Sequence, residues 1–250
     1  MRTFICTLMI LLATISARSE TIEIDDFSDG NDDGWNHYSF LGEGGPGNWD
    51  ASSGAYNLSS SGPTGPVGDG INSIWDESFD EVFEHGYLRA KVRANTAASE
   101  VGLGMRGAVL VGGYFFEGSA LTNEFRIWKV NFEGETGDLA RWRDPSVTFS
   151  QGEDWWFEAG AVGEQLSFKF WRDGEAEPAE PQLTATDDTF LMGQFGVSAS
   201  VSNLSSTPEL LDVTFDDFTF TVPEPSASSL LGLAFFGLIL QRKRRVCSRG

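Results

Sequence analysis

Cysteine is almost missing from this chain. The 250 residues hold two, Cys6 and Cys247, and neither falls between residues 20 and 222. That stretch has no disulfide to brace it, so its stability must come from a packed core. Histidine is equally scarce: His37 and His85 stand far apart, with no serine or cysteine motif beside them. Triad and zinc chemistry are correspondingly weak readings. Cations are outnumbered, 17 Lys and Arg against 37 Asp and Glu, for a formal charge of −20 at pH 7. Such a protein is repelled by phosphate backbones, which argues against nucleic-acid binding. Residues 20–222 also lack a capped amphipathic helix of useful length and any internal repeat. What is plentiful is aromatic and glycine: 20 Phe, 8 Trp and 29 Gly, with 40% of residues apolar. That composition can bury a core and excludes global disorder.

The two ends read as addresses. Residues 1–19 carry an early cation (Arg2), an apolar run from Phe4 to Ile15, then small residues around Ala17 and Ser19. This is the pattern of a secretory signal peptide. At the other end, Pro223, Glu224 and Pro225 precede an apolar stretch at 226–240 and the basic cluster Arg242, Lys243, Arg244 and Arg245. As a helix those 15 residues reach only about 22 Å, short of a hydrocarbon core of about 30 Å, so a short or temporary transmembrane helix is expected. The cations would hold its far end in the cytoplasm, with 20–222 outside. This ordered tail, 223–250, resembles the PEP-CTERM sorting signal of Gram-negative and related bacteria. The resemblance implies recognition through Pro223, Glu224 and Pro225, processing by an exosortase-type membrane protease, and delivery to the cell surface or extracellular matrix. An ordinary tail anchor is the competing reading.

With the ends set aside, residues 20–222 keep ten Lys and Arg against 36 Asp and Glu, a charge near −26. Their apolar pattern has period two. Leu88, Ala90 and Val92 alternate with Tyr87, Arg89, Lys91 and Arg93; Leu166, Phe168 and Phe170 alternate with Ser167, Lys169 and Trp171. Short alternating segments punctuated by Gly and Pro predict an all-β domain, a two-sheet antiparallel β-sandwich of jelly-roll type. Near the C-terminal end the apolar phase flips, from Leu211, Val213 and Phe215 to Phe218, Phe220 and Val222. A slip at Asp216-Asp217 predicts a β-bulge. Ile22 and Ile24, followed by Asp25, Asp26 and Phe27, repeat that Asp-Asp-Phe step, and the first and last strands are expected side by side.

The segments IDDFSDGNDDGW, GYLRAKVRA, KFWRDGEAEPAEPQLTATD and FDDFTF together resemble concanavalin A-like lectin/glucanase (laminin-G-like) domains of bacterial surface proteins. The resemblance implies the sandwich and a saccharide-handling role; its motifs describe strands and turns more than chemistry. The strand pattern Glu-x-Asp-x-x-Glu of the related glucanases has no match, and Glu153, Asp154 and Glu158 do not reproduce its spacing. No catalytic residues are assigned.

Asp29, Asn31, Asp33 and Gly34 match the first half of a calcium loop, with Asp26 and Asp217 as candidates to complete a structural Ca²⁺ site. Phe40 stands where an EF-hand needs an acid, so that motif is excluded; a polar turn is the alternative. Trp128 in phase with Arg126, and Trp142 between Arg141 and Arg143, are candidate sugar platforms, set against burial in the core. The stripe Tyr87, Arg89, Lys91, Arg93 either grips an acidic polysaccharide or pairs with acidic neighbours. Two Gly-x-Gly-x-x-Gly matches, at 42–47 and 102–107, read as turn glycine, the second running on into AVLVGGYFF as strand. The functional expectation is an exported, non-catalytic domain that binds extracellular polysaccharide. The alternatives are a divergent glycoside hydrolase or lyase and a purely structural surface protein.

Overall fold

The computed structural model describes residues 19–39, 47–63, 70–75, 83–108, 111–201 and 209–223. The signal segment 1–18, Phe40, Glu224, Pro225 and the apolar stretch 226–240 lie outside the described residues. Among the described residues no helix is long and apolar enough to cross a membrane. The compact unit runs Thr21–Val222.

Among the described residues every element is a strand, as the period-two pattern predicts. In chain order they are β1 (Glu20–Asp25), β2 (Trp35–Ser39), β3 (Gly47–Asp50), β4 (Tyr56–Ser60) and β5 (Gly70–Trp75). Then come β6 (Gly86–Ala94), β7 (Ser99–Ala108), β8 (Gly112–Ser119), β9 (Glu124–Asn131) and β10 (Gly137–Trp142). The remaining described strands are β11 (Asp154–Val162), β12 (Gln165–Arg172), β13 (Leu183–Thr186), β14 (Gln194–Val201) and β15 (Asp212–Val222). They form two antiparallel sheets packed as a sandwich. The first has the order β13-β12-β11-β6-β15-β4-β3, with β1 also on β15; the second runs β10-β9-β8-β7-β14-β5-β2. The first and last strands are thus neighbours, tied at their ends by Thr21 Oγ1 and Thr221 Oγ1 at 2.9 Å.

The phase flip is a bulge. In the pairing of β15 with β6 the register shifts between Asp216 and Thr219, and Asp217 takes φ 52°. Val213 and Phe215 before it and Phe218 and Phe220 after it are all buried. The extra residue returns the second half of the strand to the core face, which an unbroken strand would have turned to solvent. At the matching step just after β1, Phe27 takes φ 53° and its N–H donates to Asp25 Oδ1 at 2.8 Å.

AVLVGGYFF is not a single strand: β7 ends at Ala108, and β8 starts at Gly112 and pairs back on it. The φ of Gly112 is 134°, and a Cβ there would lie 1.9 Å from the Val130 carbonyl, so the turn needs glycine.

Aromatic rings fill the space between the sheets. Phe125 lies flat on Phe170, centroids 3.7 Å apart, with Phe157 and Trp142 meeting it edge-on. Phe125→Ala removes the ring on which four strands converge, and a loss of about 3–5 kcal/mol of unfolding free energy is expected by urea denaturation. Arg106, buried with φ 52°, clamps three loops by donating to the carbonyls of Gly163 (2.7 Å), Phe190 (3.2 Å) and Glu84.

Candidate functional site

The outward face of the second sheet is hollow along its middle, and the register explains why. Two cross-strand rows run over β9, β8, β7, β14 and β5. One reads Trp128, Phe115, Gly104, Gly196, Ile74; the next reads Arg126, Glu117, Gly102, Ser198, Asn72, with Tyr38 of β2 beyond. In both rows the two central strands carry glycine or serine, while large side chains stand on either side. The result is a groove of about 540 Å³ floored by β7 and β14. Gly102 is required there: a Cβ would lie 2.5 Å from Glu117 Cγ. The glycines of 102–107 read as turn glycine; 102 and 104 instead lie inside strand β7, which corrects that reading.

One wall is aromatic. Trp128 and Phe115 pack with centroids 5.3 Å apart, and the Arg126 guanidinium lies 4.8 Å from the Trp128 ring. Below them is a buried charge cluster. Arg126 Nη2 donates to Glu100 Oε2 and to Glu117 Oε2, each at 2.8 Å, and its Nε reaches Glu117 Oε2 at 3.1 Å. Ser200 Oγ adds a hydrogen bond to Glu100 at 3.3 Å. Burial pushes the Glu117 carboxyl up to about 7; the Glu100 charge adds to the rise and Arg126 opposes it. Burial lowers the Arg126 guanidinium, yet the two carboxylates outweigh it and raise it overall. On the floor, Ser198 Oγ is buried without a hydrogen-bond partner, and so is Gln194 Oε1 at the edge of the groove. Beyond the cluster a smaller hollow of about 180 Å³ is lined by Ser119, Thr122, Glu124 and Arg141.

Of the expected sugar platforms, Trp128 and Arg126 stand together on this wall. Trp142 does not join them. It turns inward from β10 against Phe170 (5.0 Å) and Phe125 (5.7 Å), because its strand partner Phe125 belongs to the core-facing set. Sequence reasoning missed Glu100, Glu117, Phe115, Tyr38 and the small floor residues. Their outward phase was readable from Val101, Leu103 and Tyr114, Phe116, but their meeting in two rows needs the strand register.

The basic stripe lies on the outer face of the other sheet and is paired. Arg89 meets Glu158 (3.6 Å) and Glu177, Lys91 meets Asp217 (3.0 Å), and Arg93 holds Asp154 (2.6 Å). Arg89 also covers Trp171 at 4.7 Å.

The candidate calcium residues make a chain of turns. Asp26 Oδ1 accepts from Ser28 N (3.0 Å), Asp29 Oδ1 from Asn31 N (3.1 Å) and Asn31 Oδ1 from Asp33 N (2.9 Å). Those Ser28 hydrogen bonds lower the Asp26 carboxyl. Asp217 faces Lys91. Among the described residues no three or more His, Cys, Asp or Glu side chains converge as a metal site. In this arrangement the Asp26, Asp29 and Asn31 side-chain oxygens are engaged by the turns themselves.

Residues 221–245 match the PEP-CTERM protein-sorting motif, so the chain carries that signal, starting at the last two residues of β15. No curated protein matches the sequence. Among solved structures, the catalytic domain of an endo-1,3-β-glucanase (laminarinase) from Thermotoga petrophila RKU-1 superposes with TM-score 0.54 at 11% identity, over 84% of this chain and 100% of that one. Arcelin-5, a lectin-like defense protein from Phaseolus vulgaris, gives 0.51 at 11% identity over 83% and 99%. The exoplasmic/lumenal domain of VIP36 in its Ca²⁺-bound form gives 0.51 at 9% identity over 84% and 92%. The chain therefore joins a sandwich of the concanavalin A-like jelly-roll fold to a PEP-CTERM sorting motif.

Proposed function

We propose that this is an exported bacterial surface or matrix protein whose groove binds polysaccharide without cleaving it. Export and sorting follow from the PEP-CTERM motif; in this reading an exosortase-type protease removes the tail near Pro223 and leaves the sandwich outside the cell. The observation that carries the binding role is the groove itself: an open trough floored by glycine and serine beside the Trp128–Phe115 wall, a surface of the kind on which a sugar ring stacks. Neighbours in fold that include a glucanase catalytic domain and a lectin-like protein support a saccharide ligand by analogy of fold.

Two carboxylates in a groove are also what hydrolysis needs, spaced about 5 to 10 Å apart around the scissile bond. Glu100 and Glu117 are held instead on one guanidinium nitrogen, and both are more than nine-tenths buried, at 7% and 4% exposure. Arg126 occupies the place between them where a glycosidic oxygen would have to sit, which favours binding over cleavage.

The test is affinity electrophoresis and calorimetry against a panel of bacterial and plant polysaccharides. Retention of the wild type with no release of reducing ends is expected, together with a roughly 30-fold or greater weakening in Trp128→Ala, the loss typical of a stacked aromatic anchor. A chelator is expected to leave both affinity and melting temperature unchanged; a drop in melting temperature would restore calcium at Asp26–Asp33 and Asp217. Release of reducing ends that disappears in Glu117→Gln would replace binding with hydrolysis.

A further inference from the structure

The groove reading leaves the class of sugar open, and the charge arrangement narrows it. Residues 20–222 hold ten Lys and Arg against 36 Asp and Glu, so any polymer approaching the domain meets a strongly negative field. A polyanion would need free cations to overcome it, and none of the ten is free. Arg126 is shared by Glu100 and Glu117. Around the groove, Lys129 is held by Asp187 at 2.7 Å, and Arg141 and Arg143 both close on Glu124, at 2.8 and 3.2 Å. On the far sheet Lys169 and Arg172 meet Glu177 and Glu153, completing the acid-paired stripe of Arg89, Lys91 and Arg93. The tenth, Arg106, is spent on backbone carbonyls.

The trough also has an axis. Its floor is two adjacent strands whose outward positions are Gly102 and Gly104 on β7 and Gly196, Ser198 and Ser200 on β14, between taller residues of β8–β9 and β5–β2. The unpartnered Ser198 Oγ lies on that floor. An uncharged sugar chain matches this small-residue floor and aromatic wall; a carboxylate or sulfate would find acceptors and no free donor cation.

Resting on the groove reading above, we infer that the ligand is a neutral glycan lying lengthwise over β7 and β14, and that uronate and sulfated polymers are rejected. The experiment uses the purified full chain with two sets of probes: neutral glucan, mannan, galactan and xylan, and the polyanions alginate, polygalacturonate and a sulfated galactan. Wild type, Trp128→Ala and Gly104→Leu are compared at low and high salt. At least one neutral polymer is expected to bind with an affinity that salt does not change, both variants losing it, while the polyanions bind roughly 100-fold or more weakly. A polyanion bound as tightly as any neutral polymer, and lost in both variants, would overturn the charge inference while leaving the groove in place. Binding untouched by either variant would remove the groove reading, and the inference with it.

Discussion

Gly104→Leu should abolish saccharide binding while leaving the melting temperature close to that of the wild type. Gly104 sits in the middle of β7 with its missing side chain directed at the groove floor. A Cβ built there meets Phe115 at 3.6 and 3.8 Å and the Gly196 carbonyl at 3.9 Å, all ordinary contacts. The backbone is extended, so a larger residue is not strained, and replacing a strand glycine reduces the entropy of the unfolded chain. The rest of the leucine has nowhere to go but the trough, where it takes the place of the sugar. The neighbouring glycines do not allow the same experiment. At Gly102 a Cβ collides with Glu117 Cγ at 2.5 Å, and at Gly196 it collides with the Ser73 carbonyl at 2.1 Å, so those variants lose the fold along with the site. Calorimetry and a thermal melt on the same sample separate the two effects. A Gly104→Leu protein that binds like the wild type would move the ligand off this face.

The second large effect concerns Arg126. Arg126→Met keeps an apolar stem against Trp128 but leaves Glu100 and Glu117 buried without their counter-charge, a change that costs about 3–5 kcal/mol when one partner of a buried pair is removed. For a domain of this size that is a fall in melting temperature of roughly 10 °C at neutral pH. The loss depends on pH, and its sign follows from the raised Glu117 carboxyl. Burial, with Glu100 adding, lifts that group from 4.5 to about 7. Between those values the folded protein keeps a proton that the unfolded chain has released, so stability falls as pH rises through the window. In Arg126→Met the opposing cation is gone and the decline should be steeper, while near the lower end of the window, where Glu117 is protonated, the variant should approach the wild type. Asp187 and Glu177 act the other way. Their carboxyls are lowered in the fold, burial opposing and hydrogen bonds from Lys129 and Lys169 outweighing it, so they lend stability above the unfolded values of 3.8 and 4.5 that is lost as pH falls further. Melting curves across the acid-to-neutral range for wild type, Arg126→Met and Arg126→Met/Glu117→Gln test this. The double variant should regain part of the loss at neutral pH; equal melting temperatures for all three would mean that the cluster is not buried as described.

Much of the architecture was written locally. Leu88, Ala90 and Val92 face the core because successive strand residues point to opposite sides, and the pleat has one period whatever surrounds it. The slip at Asp216-Asp217 was visible for the same reason: an interrupted phase in a strand that must keep burying its apolar side requires an extra residue. The tail motif is a linear signal and needed no fold to be read.

The site was another matter. Trp128 and Trp142 both have arginines close by in the chain, yet one stands on the groove wall and the other fills the interior, because β9 and β10 present those positions to opposite faces of one sheet. Gly102 and Gly104 have the spacing of turn glycines, and only the rows formed with Gly196 and Ser198 make them a floor. Glu100 and Glu117 are 17 residues apart and become a shared partner set for Arg126 only when β7, β8 and β9 pair in register. Alternation along a strand is a short-range consequence of backbone geometry and can be read from neighbours in the chain. Which strands lie side by side, and at what offset, is set by the packing of the two sheets as a whole, and that decided where a ligand can lie.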